Sequence, residues 1–536
     1  MWIQIYNPAL NIYLSALIAS LPLMILFYML AIKRKSGHIS ALASLLSALI
    51  IATLIWRMPP FLAISSALMG MIFGMFPIIW IIVTTIWLYN MTVQSGQFDI
   101  IKESLSKITD DRRLQAIFIA FAFGAFIEGT AGFGTPVAIT TAMLVGLGFV
   151  PIYAAKICLL ANTAPVAFGA IGIPIIVAAD VSKTNLLNIS SIAGIQVSII
   201  ALIVPFWLNL VMCGIKRTIE VIHFLIFAGV IYASIVFFVS NYVGPYLPDL
   251  LASITTIIAL LIFTRFVKPK TIFHFPEEAK ESNKKNINLT FPVVFKAWLP
   301  YIILALIVYI WSTMPTKGFL NNLDLKIPWP YLDNIIYKTS PITPTNSPYS
   351  AIYNFSYASS AGTAIFIAGL ISIFFMPSYS YRDAYKCFLK TLKMLIYPII
   401  TILSILGLAY LMNYSGMSST IGLALTSTGF LFPFFSPILG WLGVFLTGSD
   451  TSSNALFCSL QNTTAEQLGL NPELAVAANS TGGVCGKMIS PQSIAVGAAA
   501  SGLIGKEGEI FRFTFKHSIL MVLLIAIINF IMSLIL

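Results

Sequence analysis

Three charged residues, Glu128, Asp450 and Lys487, lie in stretches that otherwise consist of apolar and small residues. A charge in apolar surroundings is costly unless it is paired or hydrated, so such residues commonly serve a function. Lys487 is suited to act as the counter-ion of a carboxylate. Glu128 and Asp450 are candidate proton carriers, because desolvation makes a carboxyl group hold its proton near neutral pH, whereas a nearby lysine favours its ionised form. The structural alternative is an ion pair between Lys487 and a carboxylate that only holds two segments together.

Neutral polar residues cluster around these charges. Hydroxyl and amide groups that can donate hydrogen bonds belong to Thr130, Thr163, Ser452, Ser453, Thr481, Ser490 and Gln492. Asparagines, which both donate and accept, occur at Asn162, Asn454 and Asn479. Together with free backbone N–H groups near Gly129, these residues predict a site for a small hydroxy-acid with one charge, one hydroxyl and one methyl group.

Glycine and proline punctuate the same stretches. The sets are Gly129, Gly132, Gly134 and Pro136; Pro165, Gly169, Gly172 and Pro174; and Gly482, Gly483, Gly486 and Pro491. We expect each set to break a helix, which would expose N–H groups and a positive dipole end that attract a carboxylate. The alternative is close helix packing, where small residues let two backbones approach.

The elements that must position these residues are membrane helices. Of the 536 residues, 58% are hydrophobic and only 9% are charged, against about 25% charged in soluble proteins. The apolar residues fall in blocks of the roughly 20 residues that cross a bilayer. The sequence therefore predicts an all-α, polytopic membrane transporter, one transport domain over residues 1–536 with about 12 to 14 membrane segments.

The net charge of +11 comes from basic residues in short loops between apolar blocks. There they set topology and meet anionic lipid, so we do not expect a nucleic-acid partner. Lys33, Arg34 and Lys35 follow the first segment, which places the N-terminus outside. The same rule predicts that 268–295 is a cytoplasmic loop and that 314–357 is an extracytoplasmic loop.

Two parts of the chain repeat each other. Gly124–Gly129 (GAFIEG) is similar to Gly443–Gly448 (GVFLTG), and Asn162-Thr163 matches Asn479-Ser480 at nearly the same offset. The basic loops predict that the two parts enter the membrane from opposite sides. Inverted repeats with broken helices at the midplane are typical of secondary transporters. The predicted repeat cores are 114–213 and 418–505.

Neither a metal site nor a cofactor is expected. The five cysteines and four histidines are dispersed, without metal-ligand spacing, and the sequence has no phosphate-binding P-loop. We also find no nucleophile or metal constellation of the kind that a membrane-embedded enzyme would need.

Five long motifs carry a family resemblance. They are Phe123–Ala138, Asn162–Pro174, Gly440–Phe457, Ala477–Val484 and Gly486–Ala495. Through them the whole chain resembles the bacterial and archaeal L-lactate permeases of the cell membrane. The resemblance implies cotransport of lactate with protons, with D-lactate and glycolate as further substrates. Related anion carriers imply an elevator mechanism and a homodimer.

Two alternatives stay open at this point. Asn162-Thr163 and Asn479-Ser480 are similar to helix tips that bind sodium in other carriers, so a sodium-coupled small-carboxylate transporter is the main alternative. An anion channel is a less favoured one, and it would show flux without coupling or saturation.

Overall fold

The computed structural model describes residues 1–33, 35–132, 134–275, 289–312, 314–377, 379–503 and 506–536. Several sequence predictions fall outside the described residues. They concern Arg34 of the first basic loop, Phe133 of the first motif, 276–288 of the cytoplasmic loop 268–295, and Ile504 and Gly505 at the end of the second repeat core.

Helices dominate the described chain. Those of the first half are α1 (Ile12–Phe27), α2 (Gly37–Leu54), α3 (Pro60–Phe73), α4 (Trp80–Gln94), α5 (Gln97–Ser106), α6 (Arg112–Gln115), α7 (Gly124–Thr130), α8 (Thr135–Gly146), α9 (Pro151–Ala161), α10 (Gly169–Ser182), α11 (Leu186–Ile219), α12 (Ile222–Tyr242) and α13 (Pro248–Phe266). Those of the second half are α14 (Phe291–Ser312), α15 (Met314–Asn321), α16 (Ala361–Ser372), α17 (Tyr381–Met394), α18 (Ile396–Ser415), α19 (Met417–Leu425), α20 (Phe432–Thr447), α21 (Asp450–Leu468), α22 (Pro472–Lys487), α23 (Pro491–Ala500) and α24 (Glu507–Ser533). Short π-helical or 3₁₀ segments adjoin several of them, and the π-helical segment Ala116–Phe123 joins α6 to α7.

Within these residues, 11 helices are long and apolar enough to cross a membrane, or up to 12 when one bent pair is counted as a span. The bent pair consists of Pro151–Ala161 and Val166–Ser182, which meet at 63°. The number lies at or below the lower end of the predicted 12 to 14. The reason is that some apolar stretches are divided into helices too short to span, such as α8 with 12 residues.

The expectation of an all-α protein is wrong in one region. The stretch 314–357, predicted as a loop, contains α15 and most of two small sheets. The strands are β1 (Trp2–Ile3), β2 (Leu325–Pro328), β3 (Ile336–Lys338), β4 (Ser347–Pro348) and β5 (Ile352–Phe355). One sheet has the order β1-β3-β4 and the other pairs β2 with β5, with Leu325 opposite Phe355. Strand pairing gives hydrogen-bond partners to the backbone N–H and C=O groups of these short segments, which would otherwise bond only to water.

Each predicted repeat core contains a helical hairpin. Hairpin 1 runs from Arg112 through α7, turns near Gly132 and Gly134 and returns along α8. Hairpin 2 consists of α20 and α21 with a turn at Gly448 and Ser449. Gly132 (φ 58°), Gly134 (φ 83°) and Gly448 (φ 72°) occupy the left-handed region at these turns, which glycine adopts without steric cost. The break predicted at Gly129–Pro136 is therefore confirmed.

A broken helix follows each hairpin, and a long helix follows each broken helix, although the second long helix starts just beyond the predicted core 418–505. Broken helix 1 is α9 and α10, with an interruption between Asn162 and Phe168; broken helix 2 is α22 and α23, separated by 488–490. The long helices are α11 and α24. The two cores thus share one order of elements.

The break predicted for Gly482, Gly483, Gly486 and Pro491 is present, but it lies at 488–490, directly before Pro491, and α22 runs through all three glycines without interruption. These glycines let α22 pack directly on α20. A Cβ at Gly482 would lie 1.9 Å from the carbonyl oxygen of Pro437, and one at Gly440 would lie 1.9 Å from that of Asn479. Close packing, the alternative interpretation of these small residues, is what the structure has.

The two cores interlock. Helix α10 of the first packs on α21 of the second, and α8 packs on α23. The side-chain amide of Asn454 donates to the carbonyl of Pro174 at 2.9 Å across this interface. A second group, α1, α2, α3 and α18, packs together beside the cores; we refer to it as the flanking helices.

Candidate functional site

A cavity of about 1110 Å³ lies where both cores meet the flanking helices. Its wall includes Glu128 from hairpin 1, Pro174 from broken helix 1, Gly448 from hairpin 2 and Lys487 from broken helix 2. Ile405 of α18 contributes on the opposite side. The three charged residues singled out by the sequence, including Asp450, therefore line one common space.

The cavity reaches one face of the membrane domain. Lys35, His38, Tyr397 and Glu507 line its outer part, and they lie at or near the first residues of α2, α18 and α24. These helix ends adjoin basic loops, the segments predicted to be cytoplasmic. The cavity therefore opens towards the predicted cytoplasmic face.

The turn of hairpin 2 forms the polar part of the wall. Ser449 is the N-cap of α21, and its hydroxyl accepts a hydrogen bond from the backbone N–H of Ser452 at 3.3 Å. The first turn of any α-helix has backbone N–H groups without intrahelical partners. Because Ser449, Asp450, Thr451 and Ser452 all line the cavity, the positive end of α21 is placed at its wall.

Lys487 ends α22 beside this turn. It is buried, and its Nζ donates to the carbonyl oxygen of Gly448 at 3.1 Å. In the part of the chain that the structure describes, no carboxylate oxygen lies within the 4.0 Å of an ion pair with Nζ. The ammonium group therefore has capacity for an anion, and the structural ion pair that was the alternative is not formed.

Asp450 occupies the first helical position of α21. Its Oδ2 accepts a hydrogen bond from the Ser480 hydroxyl at 2.5 Å. Its Oδ1 has no hydrogen-bond partner among the described residues, and a Cβ at Gly483 would lie 2.2 Å from that oxygen. The carboxyl group is thus held between hairpin 2 and α22, with one oxygen free to hold a proton.

Glu128 lies on α7, before the turn of hairpin 1, and lines the same cavity. It is 4% exposed, and its Oε2 accepts a hydrogen bond from the Asn162 side chain at 2.8 Å. A Cβ at Gly169 would lie 2.8 Å from Oε1. Gly169, at the break of broken helix 1, therefore leaves room for the Glu128 carboxyl group in the cavity wall.

The other predicted binding residues divide into two sets. Ser452 and Gln492 line the cavity together with the three charges. The remaining ones lie behind the wall: Gly129, Thr130, Asn162, Thr163, Ser453, Asn454, Asn479, Thr481 and Ser490.

Several residues of the second set make structural hydrogen bonds. Asn479 donates to the side-chain oxygen of Asn454 at 2.8 Å, and the Thr481 hydroxyl donates to Gln196 of α11. Thr130 bonds the carbonyl of Phe126 at 2.9 Å, within its own helix. Their predicted contact with a substrate stays a prediction.

Asp249, at the start of α13, was not singled out by the sequence analysis. It is 1% exposed, its Oδ1 accepts a hydrogen bond from Tyr232 at 3.1 Å, and its Oδ2 has no partner within the described chain. A Cβ at Gly129 would lie 3.0 Å from the Asp249 Cβ. The sequence signal was an acidic residue directly after Pro248 in the first turn of an apolar span, where it is easily taken for a loop residue.

Metal coordination finds no support in the described residues. They contain no group of three or more His, Cys, Asp or Glu side chains that could hold a metal ion.

Comparison with known proteins places the chain among membrane permeases. A family model described as L-lactate permease matches residues 15–536. The L-lactate permease of Bacillus subtilis (strain 168) is 46% identical, with 99% of this chain and 98% of that protein covered. The glycolate permease GlcA of Escherichia coli (strain K12) is 46% identical over 98% of this chain and 97% of that protein. The L-lactate permease of Escherichia coli (strain K12) is 45% identical, with coverages of 99% and 98%.

Two solved structures are distantly similar. The YdaH transporter of Alcanivorax borkumensis aligns with a TM-score of 0.44 at 14% identity, covering 84% of both chains. MtrF of Neisseria gonorrhoeae aligns with a TM-score of 0.43 at 13% identity, covering 85% of this chain and 80% of that one.

Proposed function

The chain belongs to the L-lactate permease family, and on that basis we propose that it takes up L-lactate by proton symport and also accepts D-lactate and glycolate. Membership makes it a multi-pass membrane transporter and not an enzyme. The relatives are named for L-lactate and for glycolate, which are both small 2-hydroxy-carboxylates.

The observation that carries the proposal is the ammonium group of Lys487, which lies in the cavity wall beside the first turn of α21 and has no carboxylate partner among the described residues. A substrate carboxylate placed there gains a charge-assisted hydrogen bond from Nζ and the N–H groups of a helix start. Ser452 and Gln492 line the same wall and offer polar groups to the substrate hydroxyl. The apolar wall at Ile405 suits the methyl group.

Proton coupling is assigned to Glu128, Asp450 or both. Each lines the cavity, each is buried, and each carboxyl group has a neutral hydrogen-bond partner, Asn162 and Ser480 respectively. Burial favours the neutral form of a carboxyl group, and neither side chain forms an ion pair among the described residues. Protonation of such a group together with lactate binding would move one proton with each lactate.

For the transport cycle we propose an elevator-type mechanism. The two cores share the order hairpin, broken helix, long helix, and the basic loops predict that they run in opposite directions. They interlock with each other, while the flanking helices form the far wall of the cavity. Movement of the cores as one body against the flanking helices would expose the site alternately to each side.

Uptake of labelled L-lactate into membrane vesicles tests the proposed coupling. An inward proton gradient should drive accumulation, and a proton ionophore should abolish it. Accumulation that ignores the ionophore and requires sodium would refute proton symport.

Glu128→Gln tests the assigned carrier, because the amide keeps the shape of the side chain but cannot bind the transported proton. We expect loss of proton-driven accumulation while lactate–lactate exchange persists. Glu473→Gln is the matched control, since Glu473 accepts hydrogen bonds from Asn188 at 2.9 and 3.0 Å away from the cavity. Unchanged accumulation by the Glu128 variant would eliminate its role.

Sodium coupling is the second candidate, and one observation favours it. The side-chain oxygens Oδ1 of Asn162, Oγ1 of Thr163 and Oδ1 of Asn479 are buried without a hydrogen-bond partner among the residues described. Neutral oxygens of this kind are suitable ligands for a hard cation. Replacing sodium by choline in the vesicle assay separates the two candidates.

A further inference from the structure

We propose that Asp249 is a second proton-binding residue of the transport cycle, and that it exchanges the coupling proton with Glu128. The proposal rests on the proton symport proposed above, and it extends the proton site from the cavity wall to a carboxyl group on α13.

Burial and an unused acceptor distinguish Asp249 from an ordinary structural acid. At 1% exposure it is as inaccessible as the surrounding apolar residues, and its Oδ2 lacks a hydrogen-bond partner among the described residues. No ion pair involving Asp249 occurs in the described ranges. A charged carboxylate in such a place is expensive, whereas a carboxylic acid can be kept there at much lower cost.

The position of Asp249 links it to Glu128. Gly129, the next residue after Glu128, packs so closely on α13 that a Cβ there would touch the Asp249 Cβ at 3.0 Å. Two carboxyl groups in one buried site share protons, because both cannot be charged at low dielectric constant. Two buried carboxyl groups on helices that pack this closely are suited to exchange a proton, which is the role that we assign to Glu128 and Asp249.

The titratable groups around Asp249 are few. Helix α13 packs on α12, on α7 and on the segment Ala116–Phe123, with a lesser contact to α10. Tyr232 faces Asp249 from α12, and Glu128 belongs to α7; Ala116–Phe123 contains no titratable residue. On α10 the titratable residue is Asp180, which bonds Tyr410 of α18. His223 of α12 packs on Phe263, and Arg265 lies in the last turn of α13, so both basic residues are roughly 20 Å along the helix from Asp249. No basic residue of these elements therefore lies beside Asp249 to keep it permanently ionised.

The two carboxyl groups differ in what they reach. Glu128 lines the cavity that opens to the predicted cytoplasmic face, and Asp249 does not. Asp249 is the second residue of α13, directly after the turn 243–247 that the basic loops place outside. Proton exchange between them breaks one O–H bond and forms another, so it carries a proton between the outer end of α13 and the cavity without any other reactant.

Asp249→Asn in the purified full-length protein, reconstituted in proteoliposomes, tests the role. Asparagine keeps the size of the side chain and can still accept from Tyr232, so the fold is preserved. We expect proton-driven accumulation of labelled L-lactate to fall at least about tenfold, as for loss of a proton-transfer group. Lactate–lactate exchange should persist, and its dependence on pH should change shape.

Two further variants guard against a merely structural effect. Tyr232→Phe leaves the carboxyl group but removes the hydroxyl group that bonds it, so it should alter the pH profile of uptake with little loss of exchange. Asp99→Asn changes an exposed acid that pairs with Lys102 at 2.6 Å and should behave as wild type.

The possible outcomes are distinguishable. Wild-type accumulation that ignores a proton ionophore would overturn proton symport and this proposal together. If wild type is proton-coupled, an Asp249→Asn variant with normal accumulation and an unchanged pH profile overturns the role of Asp249 alone. Equal loss of exchange and accumulation in Asp249→Asn, together with a wild-type pH profile in Tyr232→Phe, would also overturn the role of Asp249.

Discussion

At the scale of single residues, the lysine in the cavity wall differs from the other lysines of the cores. Lys487 is buried and bonds a neutral carbonyl, whereas Lys156 pairs with Glu509 at 3.5 Å. A buried cation without a carboxylate partner is suited to bind an anion from outside the chain. A cation that already pairs with an exposed carboxylate is less available to such an anion, and its ion pair contributes little to stability.

Lys487→Gln is therefore expected to raise the KM of L-lactate exchange. A hydrogen bond to a charged group contributes roughly 1.5–3 kcal/mol, which corresponds to about a 10- to 100-fold weaker affinity at about 1.4 kcal/mol per factor of ten. Initial rates of exchange in proteoliposomes measure it. Lys156→Gln is the matched control and should change KM only slightly; equal effects of both variants would contradict the assignment.

Residue type and depth in an apolar stretch were enough to single out Glu128, Asp450 and Lys487, which the structure brings to one cavity; their roles in transport stay predictions. Residue type and depth were not enough to say which way a polar side chain faces. Asn454 and Asn479 were predicted at the substrate but bond each other between α21 and α22. Asp249 was missed because proximity to Glu128 arises only from the packing of α13 on α7.

At the scale of elements, glycine has two different uses in this chain. At Gly132 and Gly448 it turns a hairpin with positive φ, and at Gly440 and Gly482 it lets α20 and α22 touch. Both uses give the same local pattern of small residues in a sequence. The helix break in hairpin 1 was predicted because Pro136 comes two residues after Gly134, whereas the continuity of α22 depends on a partner helix that the local sequence does not reveal.

Gly482→Ala tests the contact between α20 and α22. The added Cβ would lie 1.9 Å from the Pro437 carbonyl oxygen, so one helix must move, at a cost of about 1–3 kcal/mol for overpacking. The melting temperature of the solubilised protein should fall. Gly146→Ala is the control, since a Cβ there meets nothing within 4 Å and removes the flexibility of a helical glycine, a gain of about 0.5–1 kcal/mol. A Gly482 variant as stable as the control would show that the helices are not in close contact.

A second element-level contact ties the start of hairpin 1 to two neighbouring loops. The fully buried guanidinium of Arg113 donates to Glu220 at 2.7 Å, to the Thr271 carbonyl at 2.6 Å and to Asp111 at 2.7 Å. The Thr271 hydroxyl also donates to Glu220 at 2.6 Å. Arg113 and its hydrogen-bond partners thus join the turn between α11 and α12 to the segment after α13.

Glu220→Gln should destabilise the protein in a pH-dependent way. The hydrogen bond from Thr271, and then that from Arg113, lowers the pKa of Glu220 below its usual 4.5. A lowered folded-state pKa gives stability that is present above the unfolded-state pKa and is lost as pH falls through the folded value. The melting temperature of the variant should therefore lie below wild type at pH 7, and the gap should narrow below about pH 4. A gap that does not depend on pH would contradict the charge of Glu220 as its cause.

At the scale of the whole molecule, one side of the cavity is open and the other is closed. Lys35 and Tyr397 line the open end. At the far end of α18, Tyr410 donates to Asp180 of α10, and the Asn413 amide donates to the Val181 carbonyl at 3.3 Å. Gln4 adds a hydrogen bond to the Asn413 carbonyl at 2.9 Å. The flanking helices and the cores are thus joined at the predicted extracytoplasmic end and separated at the other, which is the arrangement of an inward-open transporter.

Thr401→Cys tests whether the cavity is open on the cytoplasmic side and closed on the other. Thr401 lines the cavity on α18, one turn from Tyr397, so in a Cys213→Ser background a membrane-impermeant thiol reagent should label it in inside-out vesicles and hardly at all in right-side-out ones. Tyr331→Cys, 76% exposed in the predicted extracytoplasmic region, should show the reverse preference. The four other native cysteines are buried and should contribute little background.

Bound L-lactate should slow labelling of Thr401→Cys without affecting Tyr331→Cys, because only the former shares the cavity with Lys487. Labelling of both positions from the same side would contradict the predicted topology, whereas labelling of Thr401→Cys that ignores lactate would contradict the substrate site.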